Sequence, residues 1–129
     1  MIIQWLERIS NRDAIGAAEC FSEDAAYYYA MPHPPMQGRD RIREMFSGQA
    51  TAYARISWEV TTAAVQADRV WMERVDRFIT PDGREIAIEC AGVAEISDGL
   101  ITEVRDYVDL QTGGTEPGLT SEDGRGLGH

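Results

Sequence analysis

Apolar side chains recur every three or four residues in the first part of the chain, a spacing typical of amphipathic helices. Polar clusters at 10–13 and 22–24 interrupt this pattern and predict the ends of two helices. A third helix is predicted to begin at Gly38. The inward faces of the three helices carry, in chain order, Ile2, Trp5, Leu6 and Ile9; Ile15, Ala18 and Phe21; and Ile42, Met45 and Phe46.

Strands are predicted where the period of the apolar positions changes to two. An aromatic run at 25–31 ends at Pro32 and predicts a first strand, and the chain from residue 54 onward predicts four more. Pro-Asp-Gly and Ser-Asp-Gly turns precede the last two of these, and the four ranges are 54–66, 69–79, 84–96 and 100–109. Helices followed by an antiparallel meander indicate an α+β domain in which three helices cover the apolar face of one sheet.

A length of 129 residues suffices for one buried core but not for two. Residues 1–111 are therefore predicted to form a single domain. The stretch 112–129 is rich in Gly, Thr and acids without any apolar period, and it is predicted to be a flexible tail.

The formal net charge is −10, and all 12 basic residues are arginines. Such a surface repels phosphate, which disfavours binding to nucleic acid or to an anionic membrane. The chain shows no basic leader and no apolar stretch of membrane length, so a cytoplasmic location is expected. Cys20 and Cys90 match no metal or redox spacing and His33 is set among prolines, so we expect neither a metal nor a cofactor.

Three charged side chains interrupt the apolar faces of two predicted strands. Alternation places Asp106 on the apolar face of the last strand, and Arg74 and Asp76 on that of the strand at 69–79. Burying a lone carboxylate costs several kcal/mol, so Asp106 is expected to be paired, to have a raised pKa or to lie in a wet pocket. Arg74 and Asp76 are available as partners. One guanidinium between two carboxyls fits an acid and a base in different protonation states, but an ion triad that only fixes strand register gives the same pattern. Two interpretations of Tyr28 are open. Its hydroxyl could reach the same cavity, or Tyr28 could simply be an aromatic core residue.

These segments resemble the limonene-1,2-epoxide hydrolase family, which has an NTF2-like fold, a cone of curved, mostly antiparallel sheet with helices over an apolar pocket. The resemblance spans residues 27–110. It rests on Arg-x-Asp at 74–76, on Arg-Asp-Tyr-x-Asp-Leu at 105–110, and on Met-Pro-His-Pro-Pro at 31–35 followed by Gly-Arg-Asp at 38–40.

The resemblance implies a role for each of these residues. Asp106 would be the general base that activates a water, Asp76 the general acid that protonates the epoxide oxygen, and Arg74 the bridge between them. Tyr28 matches the family's water-holding tyrosine. The family's second water-holding residue, an asparagine two positions later, is Ala30 in this sequence.

The predicted function is therefore a cofactor-independent epoxide hydrolase that converts a small or medium apolar epoxide into a diol. Ala30 prompts a second hypothesis, an epoxide-opening cyclase or a related SnoaL-like enzyme of polyketide maturation, in which a substrate hydroxyl replaces water. A non-catalytic binding module is the third, because this fold hosts many functions. The resemblance and the aromatic and arginine side chains of the broad strands indicate a homodimer through the sheet. The predicted pocket lining is Met31, Trp58, Met72, Phe78, Ile88, Cys90 and Val108.

Overall fold

The computed structural model describes residues 1–109, and the predicted tail at 112–129 lies outside the described residues. None of the helices in the described range combines the length and the apolarity needed to cross a bilayer. In chain order the elements are α1 (Ile2–Ser10), α2 (Ala14–Glu19), β1 (Phe21–Tyr28), β2 (Met36–Gln37), α3 (Arg39–Ala52), β3 (Arg55–Gln66), β4 (Arg69–Ile79), β5 (Glu85–Ser97) and β6 (Leu100–Val108).

The strands form one sheet in the order β2-β1-β6-β5-β4-β3. Strands β3 to β6 make the predicted antiparallel meander. Strand β1 lies parallel to β6 and pairs with the short β2 on its other side. Because α1 packs on β3 while α2 and α3 pack on β1, the helices cover the inner face of the sheet. The predicted α+β class, with three helices over a curved sheet, is confirmed.

The second helix is shorter than predicted, and its inward face differs. It ends at Glu19, and Ile15 is 63% exposed, whereas Ala17 and Ala18 are buried. Asp13 caps its first turn by accepting from the Gly16 N–H at 2.9 Å. Small side chains face inward because this short helix lies close against α1 and α3.

Strand β1 begins at Phe21 rather than at residue 25. The polar residues 22–24 look like a helix stop in the sequence, but they continue the strand past an irregularity in its pairing with β6. Phe21 is fully buried at the start of this strand, not at the end of a helix.

Strand β6 contains a bulge that inverts the predicted alternation at its start. Glu95 pairs with Glu103 and Ile96 with Ile101, which leaves Thr102 as an extra residue. Ile101 is therefore fully buried although the alternation predicted it to face outward. Beyond the bulge the predicted alternation holds as far as Asp106, which is buried on the inner face.

Candidate active site

Arg74 lies between two buried carboxyl groups on the inner face of the sheet. Its Nε donates to Asp76 Oδ1 at 2.7 Å and its Nη2 to Asp76 Oδ2 at 3.0 Å, a bidentate pair. Nη2 also donates to Asp106 Oδ2 at 2.8 Å, and Nη1 lies 3.4 Å from Asp106 Oδ1. With Met72 Sδ 4.0 Å from Nη1, every N–H group of the guanidinium faces an acceptor. The predicted bridge between the two acids is present.

A glycine lets the two strands bring these groups together. Arg74 on β4 and Asp106 on β6 are separated by β5, where Gly92 lies directly opposite Asp106. A Cβ atom on Gly92 would come within 2.4 Å of Asp106 Oδ1. The carboxylate therefore extends across β5 toward the guanidinium only because this position lacks a side chain.

Two tryptophans enclose the guanidinium. The Cζ atom of Arg74 lies 4.8 Å from the ring centroid of Trp58 on β3 and 5.7 Å from that of Trp5 on α1. Indole faces attract a cation and exclude water, so the charge is held in a dry environment. Trp5 is fully buried, which makes the site continuous with the hydrophobic core.

The tyrosine that reaches the cluster is Tyr27, and the predicted position, Tyr28, is wrong by one residue. The Tyr27 hydroxyl donates to Asp106 Oδ2 at 2.8 Å, and its side chain is buried. In the parallel pairing of β1 with β6, Tyr27 lies beside Val104 and Tyr28 beside Arg105. Neighbours in register share a face of the sheet, so Tyr28 lies on the face opposite to the cluster.

The ionisable residues of the cluster differ in how their pKa values are shifted. Burial raises the pKa of Asp76 above the ordinary carboxyl range, although the charge and hydrogen bonds of Arg74 oppose this. Burial lowers the pKa of Arg74, but the two carboxyls outweigh it and hold that pKa well above its usual value. Burial, and then the charge of Asp106, raise the pKa of Tyr27 well above normal. The tyrosine is therefore a neutral donor, the arginine a cation, and Asp76 a carboxyl that holds its proton more readily than usual.

Both acids face a small cavity between the sheet and α3. The cavity volume is about 30 Å³. One buried water needs a cavity of about 10–15 Å³. Three lining residues, Tyr29, Met45 and Val108, are only partly buried, so the cavity approaches the surface there. The described residues that line it are Tyr27, Tyr29, Met45, Gln49, Trp58, Asp76, Phe78, Ile88, Asp106 and Val108.

Four of the seven predicted lining residues, Trp58, Phe78, Ile88 and Val108, line this cavity, and three do not. Met72 packs beside the guanidinium within the core. Cys90 lies on β5 opposite Arg74, and burial raises the pKa of its thiol. Met31 follows the end of β1, where its backbone N–H donates to the backbone carbonyl of Asp106 at 2.9 Å.

Gln49 is the polar lining residue that the sequence reasoning missed. It is 8% exposed and shares one face of α3 with the core residues Ile42 and Phe46. Its Oε1 atom and the Nε1 atom of Trp58 are buried without a hydrogen-bond partner among residues 1–109. A buried polar atom left unpaired costs about 1–3 kcal/mol. The signal in the sequence was a glutamine at spacing i, i+4, i+7 on an otherwise apolar helix face.

The sequence places this chain in a known family. The family model for the SnoaL-like domain matches residues 2–104. This chain belongs to the SnoaL-like family. The NTF2-like cone inferred by resemblance is the fold found in this SnoaL-like chain.

Solved structures share the SnoaL-like architecture at low sequence identity. A protein from Catenulispora acidiphila with a ketosteroid isomerase-like fold, in complex with trimethylamine, is 20% identical, with a TM-score of 0.81 and 94% of each chain covered. An LEH-like epoxide hydrolase from M. tuberculosis is 21% identical, with a TM-score of 0.73 over 98% of this chain and 85% of that one. SalBIII, an epoxide hydrolase/cyclase-like enzyme of pyran ring formation in salinomycin, is 18% identical, with a TM-score of 0.77 over 86% and 89%. At these identities the similarity establishes the fold alone.

Proposed function

We propose that this SnoaL-like chain is a cofactor-independent epoxide hydrolase of the limonene-1,2-epoxide hydrolase type, which adds water to an apolar epoxide and releases a diol. The observation that carries the proposal is the Arg74 bridge between two buried carboxyls that open on one cavity. Burial raises the pKa of one of them, Asp76. Two acids bridged by one cation in an apolar cavity are suited to hold one proton between them.

The proposed reaction is a single concerted step. Asp106 removes a proton from a water molecule, whose oxygen forms a bond to one epoxide carbon. The bond from that carbon to the epoxide oxygen breaks, and the oxygen takes the proton of Asp76. Solvent exchange then returns a proton to Asp76 and removes one from Asp106. General acid and general base catalysis each contribute about 10²–10⁴-fold to such a step.

Arg74 and Tyr27 both donate hydrogen bonds to Asp106. Asp106 Oδ2 accepts from the guanidinium and from the phenol, at 2.8 Å each. These contacts hold the carboxyl in place beside the cavity, and we assign it the role of base. The same guanidinium binds Asp76, which couples the proton state of one acid to that of the other.

The cavity favours a small, apolar substrate. Its walls are mainly aromatic and aliphatic, and the described polar groups are confined to the two acids, the tyrosines, Gln49 and the Trp58 N–H. Tyr29 and Met45 are only partly buried, and we propose that the substrate enters past these two side chains.

Turnover of a panel of apolar epoxides in oxygen-18 water tests this function. We expect label in one hydroxyl of a diol, and we expect Asp106→Asn to lower the rate by about 10²–10⁴-fold. Asp98→Asn is the matched control, because Asp98 lies in the exposed β5–β6 turn at φ +52°, a conformation that asparagine tolerates. Full activity of Asp106→Asn would remove the proposed base.

An epoxide-opening cyclase is the second candidate, and one contact favours it. The Tyr27 hydroxyl donates directly to Asp106, so it is already engaged with the base instead of with a water. A substrate hydroxyl presented to Asp106 needs no such water. A cyclic ether without label, formed from a hydroxy-epoxide that yields no diol, would select the cyclase. No product from any epoxide, with Asp106→Asn changing only stability, would select a binding module.

We also propose that the outer face of the sheet is covered by a second copy of the chain. Two large aromatic side chains there are exposed, Tyr107 at 53% and Trp71 at 44%. Beside them, Arg69 and Arg105 pair with Glu95 at 3.4 and 2.6 Å. Large exposed aromatic side chains on one face of a sheet are typical of an interface, which supports this proposal.

A further inference from the structure

Gln49 occupies a place where the helix pattern calls for an apolar residue. The buried face of α3 is formed by Ile42, Phe46 and Gln49, and the first two belong to the core. Gln49 lines the cavity that both Asp76 and Asp106 face. A polar side chain in such a position is functional or costly, because its amide leaves water on folding.

Two polar atoms of the residues that line the cavity, one acceptor and one donor, lack a hydrogen-bond partner within residues 1–109. Gln49 Oε1 accepts and Trp58 Nε1 donates, and neither has a hydrogen-bond partner among the described residues. The open space is about 30 Å³, and buried waters typically make about three hydrogen bonds. A single water between the two atoms would donate to Gln49 and accept from Trp58, with its second hydrogen directed at a carboxyl group.

We propose that Gln49 is a positioning residue that holds the attacking water against Asp106, with the Trp58 N–H as its second anchor. The inference rests on the proposed hydrolase function. The water donates one hydrogen bond to Asp106 and one to Gln49 Oε1, and one of its lone pairs accepts a hydrogen bond from the Trp58 N–H. The remaining lone pair is left to form the bond to the epoxide carbon as Asp106 takes its proton. Gln49 keeps its hydrogen bond to the other O–H throughout.

This assignment answers the difficulty raised by Ala30. With Tyr27 at the site, the position two residues later is Tyr29, which lines the cavity but carries no amide. Gln49 supplies an amide oxygen to the same cavity from a different element, α3. The water thus has an amide partner although neither Tyr29 nor Ala30 provides one.

The role of Gln49 is tested by comparing two reactions, one in which water attacks the epoxide and one in which a hydroxyl of the substrate itself attacks. Gln49→Leu keeps the approximate volume and removes the amide. With simple epoxides we expect its kcat for labelled diol to fall by about 10²-fold, the cost of misplacing a reactant, with KM changed little. With an epoxide that carries its own hydroxyl at ring-forming distance, we expect cyclic ether formation to change by less than about twofold, because that nucleophile does not use Gln49.

Two further variants complete the design. Trp58→Phe keeps an aromatic ring over Arg74 but removes the N–H. It should lower the ratio of diol to cyclic ether, as Gln49→Leu does. Gln4→Leu, on the exposed face of α1, is the matched control and should leave both products unchanged. An equal loss of diol and cyclic ether in Gln49→Leu would show a merely structural role and overturn the inference.

A crystal structure of the wild-type protein separates this inference from the proposed function. We expect an ordered water within hydrogen-bond distance of both Gln49 Oε1 and an Asp106 oxygen, and its loss in Gln49→Leu. A wild-type cavity without that water overturns the inference even if epoxides are hydrolysed. A water in place without hydrolysis of any epoxide overturns the hydrolase, and with it the role of that water as nucleophile.

Discussion

Asp76 is the residue whose proton sets the pH range of the proposed reaction. It must be protonated to act as the acid, and burial raises its pKa above that of an ordinary carboxyl. We expect diol formation to fall as the pH rises through this raised pKa. A pH–rate profile measures the alkaline limb, and Asp76→Asn should lower the rate and abolish that limb. A limb that persists unchanged in Asp76→Asn would assign it to another group.

The same shift has a consequence for stability. A carboxyl whose folded pKa is raised favours the folded state at low pH, because the folded state binds the proton more tightly. The contribution is fully present below the ordinary carboxyl pKa and is lost as the pH rises through the raised one. The unfolding free energy of wild type, measured relative to that of Asp76→Asn, should therefore fall as the pH rises through the raised pKa of Asp76.

At the scale of elements, β5 separates the acid and the base, and Gly92 decides whether they can reach the same arginine. In Gly92→Ala the new Cβ would lie 2.4 Å from Asp106 Oδ1, so the carboxylate must move. We expect a loss of about 10²-fold in diol formation, the usual cost of a displacement near 1 Å. Strand pairing should persist, since alanine fits a strand, and circular dichroism checks it.

A second glycine substitution serves as the control for this experiment. A Cβ on Gly48, in the exposed part of α3, meets no heavy atom within 4 Å. Gly48→Ala should therefore stabilise the fold by about 0.5–1 kcal/mol and leave turnover unchanged. Wild-type turnover by Gly92→Ala would show that the carboxylate does not need its present position.

Period-two alternation was sufficient to predict the paired acids. Arg74, Asp76 and Asp106 each break an apolar row, and the signal is strong because burying a charge is so costly. The ends of β3 and β4 were predicted to within one residue for the same reason, since long alternating runs leave little choice of face.

The errors arose where long-range pairing decides the structure. Three consecutive tyrosines carry no alternation, and the parallel register with β6 turns Tyr27 inward and Tyr28 outward. The bulge at Thr102 likewise depends on pairing with β5. Gln49 was missed because the helix pattern was read only from its apolar members. Local sequence contains none of this information about register.

At the scale of the whole molecule, the exposed outer face of the sheet predicts a dimer. Trp71→Glu should convert a dimer into a monomer, because it places a charge on the exposed apolar surface. Sedimentation velocity at micromolar concentration measures the change. Ile15→Glu alters an exposed apolar residue on α2 and should leave the assembly intact. A wild-type monomer would refute the proposed interface.

The hydrogen bond from Tyr27 to Asp106 joins positions 79 residues apart in the chain. A nascent chain that lacks β6 carries Arg74 and Asp76, but neither the second carboxyl nor the strand beside which β1 must lie. Such distant pairings are slow to form, because the entropy of closing a long loop must be overcome before the contact is made. Since β6 supplies Asp106, fragments that stop before β6 contain no partly working version of the site.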